Sequence, residues 1–153
     1  MAKKVLIGLL IVFALIQFIR IDKTNPPVDS TKDFLVITSA PEDVQQMVKA
    51  SCYDCHSNES KYPWYSNVAP VSWWVKDHII EAREELNFSE WGTYEWKRMD
   101  HKMEECVEEI EEHEMPLKPY VLAHQEANLS EDQRAQLMDW FNHLRQNKVG
   151  KSE

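Results

Sequence analysis

Five consecutive residues, Cys52-Tyr-Asp-Cys55-His56, constrain this chain more than any other part of it. Two thiols three residues apart with an imidazole directly after them make C-x-x-C-H, in which both sulfurs can add to the two vinyl groups of a haem while the histidine reaches the iron. Thioether links hold the macrocycle in place, so cofactor loss is no longer an equilibrium that packing alone must resist. Two other chemistries use the same residues. A zinc site needs two further ligands, and the chain has no second C-x-x-C and no H-x3-H pair, only scattered histidines. A thioredoxin-type dithiol needs a strand before the motif and a helix after it, whereas here a helical pattern precedes and a proline-bearing loop follows.

The N-terminus differs from the rest. Lys3 and Lys4 lead into an apolar run from Val5 to Ile19, broken only by Gln17 and closed by Arg20. Charge followed by an apolar core is the order of an export signal, and Phe-Ile-Arg-Ile-Asp after it offers no small-x-small cleavage site. Residues 1–21 are therefore expected to be an uncleaved signal anchor, a transmembrane helix. Residues 22–33 are polar, contain Pro26-Pro27 and read as an extended, flexible linker. The globular domain is expected over residues 34–147.

Within that domain the pattern is all-α. Phe34–Ile37 is a short apolar run, too short for periodicity to assign as a strand or as a segment lying on the core. Ser39 with Glu42 suggests a capping box for a helix that places Val44, Met47 and Val48 on one face and leads to Cys52. Residues 57–70 read as a loop carrying Tyr62, Trp64 and Tyr65. A second helix over residues 71–86 repeats Val71, Trp74, Val75, His78, Ile79, Ala82 and Leu86 at three- and four-residue steps. A third, over residues 94–113, sets Trp96, Met99, Met103, Cys106 and Ile110 against an acidic face. A last helix begins at Ser130, in a capping box with Gln133, and presents Ala135, Leu137, Met138, Trp140, Phe141 and Leu144.

The stretches Cys52-Tyr-Asp-Cys-His-Ser-Asn58, Tyr62-Pro-Trp-Tyr-Ser66, Ala69-Pro-Val-Ser-Trp-Trp74, Asp77-His78, Leu86-Asn-Phe-Ser-Glu-Trp91, Glu114-Met-Pro-Leu117 and Leu129-Ser130 through Trp140 resemble the bacterial haem-binding domain family related to cytochrome c. The resemblance covers roughly residues 34–145. It implies a cytochrome c-like helical domain around one covalent haem c, closed by packing of the terminal helix, with Trp140 and Phe141, against the first.

The iron then needs a sixth ligand. Met115 lies just before Pro116, where a thioether can be presented from a loop on the opposite haem face, and a His/Met iron is a saturated electron carrier. His78, on the apolar stripe of the second helix, is the alternative. His101, His113, His124 and His143 read as surface or helix-end residues. A carbonyl of Pro63 or Pro70 is a candidate acceptor for the His56 Nδ1 proton, and Trp64, Tyr65, Trp73 and Trp74 are candidates to line the haem. Cys106, among glutamates, reads as a free buried thiol.

A formal charge of −9 argues against nucleic acid as a partner, whereas the acidic residues from Glu104 to Glu114 could steer a cationic redox protein. No phosphate loop, nucleophile-and-base set or substrate site is recognisable, so the chain is read as a carrier rather than an enzyme. The expected setting is the periplasmic face of a bacterial inner membrane. A haem-based redox or gas sensor, a haem enzyme, or a haem-stabilised interaction module are the other readings.

Overall fold

A computed structural model describes residues 1–150, and all regular structure among them is helical. Eight α-helices follow one another: α1 (Ala2–Ile16), α2 (Phe34–Ile37), α3 (Glu42–Ser51), α4 (Tyr53–His56), α5 (Val71–Glu85), α6 (Trp96–Glu111), α7 (Lys118–Ala123) and α8 (Glu131–Gln146). Short 3-10 turns at Ser30–Lys32, Trp64–Asn67, Phe88–Thr93 and Gln125–Ala127 join them.

The centre of the core is aromatic. Phe34, completely buried, has ring centroids of Phe88, Trp91 and Phe141 at 4.9, 5.0 and 5.8 Å. Around it α3 contributes Val44, Met47 and Val48, α6 contributes Met99, Met103 and Ile110, and α8 contributes Leu137, Phe141 and Leu144. The amphipathic faces read from the sequence thus meet one another. The terminal helix packs chiefly along α6, where Arg145 bridges Asp100 at 3.1 Å and Glu104 at 2.9 Å; its contact with α3 is smaller and includes a Gln136–Asp43 hydrogen bond.

Local signals were followed unevenly. Ser130 and Gln133 form the reciprocal capping box expected of them. Ser39 does not cap α3, whose N-cap is Pro41 without a side-chain bond. The reason lies upstream: Phe34–Ile37 is a helical turn, not a strand, with Asp33 Oδ1 accepting the Leu35 N–H at 2.9 Å. Ser39 ends that turn in the left-handed region (φ 49°), where Ala40 N–H returns to the Leu35 carbonyl. Its backbone was already committed to stopping α2.

Two N-terminal expectations need correction. At 15 residues and 1.5 Å per residue α1 is about 22 Å long, below the roughly 30 Å of a hydrocarbon core. No helix among the described residues is long and apolar enough to cross a membrane, so the transmembrane span is not supported. Residues 22–33 are extended, but they form a strap along the domain rather than a loose tether. Asn25 donates to the Ser60 carbonyl at 2.9 Å, Asn58 donates to the Pro27 carbonyl at 3.1 Å, and Arg83 reaches Asn25 Oδ1 at 2.9 Å. The strap ends in the Ser30–Lys32 turn, which lies against Phe88–Thr93 so closely that a Cβ on Gly92 would stand 2.9 Å from Ile37 Cδ1 and 3.0 Å from Lys32 Cα. Backbone cannot yield as a side chain can. Gly92→Ala is therefore expected to cost about 1–3 kcal/mol, read as a lowered thermal midpoint, while Gly8→Ala on open α1 leaves it unchanged.

Candidate functional site

The cysteine motif occupies a single turn set on the aromatic core. Cys52 is the N-cap of α4, and Tyr53, whose ring stacks on Phe88 at 5.5 Å, donates its hydroxyl to Asp33 Oδ2 at 2.9 Å. Ser57 closes the turn through its hydroxyl to the Tyr53 carbonyl at 2.6 Å. Arg83 then clamps the following chain, giving Nε to the Ser57 carbonyl at 2.7 Å and Nη2 to Ser60 Oγ at 2.8 Å. With Tyr53 turned into the core, Cys52, Cys55 and His56 are left partly exposed on the remaining faces of the turn.

His56 is held by the end of α5. Its Nδ1 lies 3.1 Å from the Ala82 carbonyl and 3.1 Å from the Leu86 carbonyl, so the ring donates from Nδ1 and keeps its lone pair on Nε2. These carbonyls, not those of Pro63 or Pro70, fix the imidazole. Burial holds the His56 pKa below its ordinary value, outweighing the two carbonyls that favour the cation, and the ring is neutral as a metal ligand must be. Both motif thiols are free. Burial pushes Cys52 up to about 12 and Cys55 up to about 11, the neighbouring thiol adding to the first and Asp54 to the second. Dithiol exchange, which needs a ready thiolate, is favoured by the opposite shift.

The donor set fits a haem. Two neutral sulfurs three residues apart suit uncharged thioethers, and Nε2, which has no partner among the described residues, suits an axial iron ligand. Among the described residues no group of three or more His, Cys, Asp or Glu is gathered to hold a bare metal ion, whereas a porphyrin brings its own four nitrogens.

Met115 is half-buried at the start of the chain leaving α6. His113 ends that helix in the left-handed region (φ 58°), and Glu114 and Met115 both return their N–H groups to the Glu109 carbonyl, at 3.0 and 3.1 Å. Arg134, buried on α8, donates to the Met115 carbonyl at 3.0 Å and to that of Ile110 at 3.2 Å. The segment then runs to the motif: Tyr120 donates to Asp54 Oδ2 at 2.9 Å. His78 sits differently. It lies one turn before Ala82 on α5, half-buried, with Nδ1 against the Trp74 carbonyl at 3.0 Å and its ring on Trp74 at 4.1 Å.

Several neighbours were beyond sequence reasoning. His124 is not a free surface residue: Tyr65 meets its Nε2 at 2.9 Å and Tyr120 stacks on it at 4.3 Å. Lys102, buried on α6, is held between Glu85 at 3.3 Å and Glu105 at 2.6 Å. Only the Lys102–Glu105 spacing on one helix carried a local signal. Of the four aromatics expected to line the haem, Trp64 is 78 % exposed, Trp74 is exposed, Trp73 donates its Nε1 to the Ile19 carbonyl at 3.1 Å, and burial raises the pKa of Tyr65, on His124, with nearby Cys55 and Asp54 adding to the shift. Cys106 lies on α6 beside the core, and burial raises its thiol above the ordinary range, with Cys52 and Glu105 adding to the shift.

A family model described as a haem-binding domain matches residues 11–143. No curated protein and no solved structure matches the chain.

Proposed function

We propose that this chain, which belongs to the haem-binding domain family, holds one haem c through thioether bonds to Cys52 and Cys55, with His56 and Met115 as axial ligands, and passes single electrons. The observation that carries this reading is the His56 ring: its Nδ1 is fixed by the Ala82 and Leu86 carbonyls and its Nε2 has no partner among the described residues, beside two unbridged thiols. In attachment, each Sγ–H adds across one vinyl double bond, sulfur to one carbon and hydrogen to the other. No electrons are gained or lost.

When bound, the haem supplies a one-electron iron couple. The rest is done by this chain. Ala82 and Leu86 orient the proximal imidazole and raise its basicity, Arg134 and the Glu109 carbonyl set the Met115 backbone, and Tyr53 and Arg83 keep the motif turn rigid so that the donors hardly move between oxidation states. A cytochrome c-like closure of the helices around the haem agrees with the α3, α6 and α8 core. The lysine-led apolar segment and the thioether chemistry support a domain outside the cytoplasm, at the inner membrane, with that segment seated in lipid. The acidic face of α6 favours a cationic redox partner, an attraction that weakens as salt rises.

Reversible one-electron titration, with ferrous spectra unchanged under carbon monoxide, is the expected result. A carbon monoxide adduct of the unmutated protein would replace the carrier by a sensor or enzyme with an open sixth position.

A further inference from the structure

The chain leaving α1 is fixed to the domain in a way that no linker requires. Gln17 pairs with one residue through both ends of its amide: the Ala69 N–H donates to Oε1 at 2.9 Å and Nε2 donates to the Ala69 carbonyl at 3.0 Å. Arg20 donates to the Asn67 carbonyl at 2.8 Å, Lys23 to Asn67 Oδ1 at 2.6 Å, and Trp73 to the Ile19 carbonyl at 3.1 Å. The apolar helix is thereby clamped to the Trp64–Asn67 turn and the first turn of α5. Large apolar side chains are exposed at these places too: Phe18, Ile19, Trp64, Val71 and Trp74.

Lipid fits this arrangement better than a protein groove does. A groove covers one stripe of a helix and leaves a polar face, whereas α1 exposes Val5, Leu6, Ile7, Leu9, Leu10, Ile11, Val12, Phe13 and Leu15, which lie all round it. Tryptophans beside the end of such a helix match the headgroup level of a bilayer, where an apolar ring meets water.

We propose that the clamp seats the domain directly on a lipid bilayer, with Trp64, Val71 and Trp74 in the headgroup layer continuous with α1. The placement rests on the proposed seating of α1 in lipid and not on haem attachment. It has a consequence for the site. Ala82, which holds His56, is eleven residues beyond Val71 on α5, about 16 Å along the helix, so one rigid helix fixes the distance between the seated residues and the motif.

Hydroxyl-radical footprinting of the full chain in phosphatidylcholine nanodiscs, one chain per disc, tests this. Oxidation of Trp64 and Trp74 is expected to be several-fold slower than in the variant Gln17→Gly/Arg20→Gly/Lys23→Gly, which keeps only the Trp73 bond of the clamp, while Trp96 on α6 is oxidised equally in both. Open tryptophans in a chain retained by the disc would overturn the placement alone, and a chain that leaves the disc would overturn the seating of α1 as well. Equal protection in both chains would remove the clamp's role. Protection seen only with two chains per disc would make a second copy, not lipid, the occupant.

Discussion

Met115→Leu is expected to abolish the far-red thioether-to-iron band of the ferric protein and to let its ferrous form bind carbon monoxide, with the haem still covalently attached. Leucine keeps the volume and removes the sulfur, so the backbone bonds from Arg134 and to Glu109 hold the loop while the ligand is lost. His78→Ala is the paired control and is expected to leave the band in place. Two observations favour this order of effects. His78 lies on α5, the helix whose Ala82 carbonyl meets the His56 Nδ1, and its own Nδ1 is against the Trp74 carbonyl. Met115 opens a segment that reaches the motif from another direction, through Tyr120 and Asp54. The reverse pattern, with the band lost in His78→Ala and kept in Met115→Leu, would exchange the two ligands.

The second large effect falls on stability. Phe34→Ala is expected to cost about 3–5 kcal/mol, because the ring is completely buried among Phe88, Trp91 and Phe141 and the two segments that carry them cannot both close on the void. Denaturant unfolding would show a lower midpoint at unchanged slope. The same ring links the strap, the motif turn and α8, so α4 is expected to lose protection from hydrogen exchange along with the core. Val36→Ala, at an exposed position two residues away, is expected to change stability by less than about 0.5 kcal/mol.

What the sequence made legible is what is local in the chain. Cys52, Cys55 and His56 share one turn, so their chemistry is written consecutively. Ser130 and Gln133 are three residues apart and form their cap without outside help. The stripes Val44–Met47–Val48 and Met99–Met103–Ile110 are one-helix patterns and are buried as expected.

The failures are places where a distant segment decided. Ser39 was a plausible cap until the end of α2 claimed its backbone. The strap resembles a tether until Asn58 and Arg83 are brought to it. Of the stripe expected on α5, Ile79 and Leu86 are buried, but at the start of the helix Val71 and Trp74 are exposed and Ser72 is buried instead, where Trp73 is tied to Ile19. The acceptors for His56 are backbone carbonyls that any sequence would supply, so only the path of α5 reveals them. Tyr120 and His124 gain their partners across more than fifty residues.

The central claim is the covalent haem, and the most direct test combines the intact mass and the denatured-haem spectrum of the unmutated chain, matured in a strain with cytochrome c assembly machinery. The expected result is the mass of the chain plus one haem and the spectrum of two saturated vinyl positions, one bond being lost in Cys52→Ala or in Cys55→Ala and both in the double variant. A haem removed whole by acidified organic solvent, leaving the bare chain mass, would contradict it.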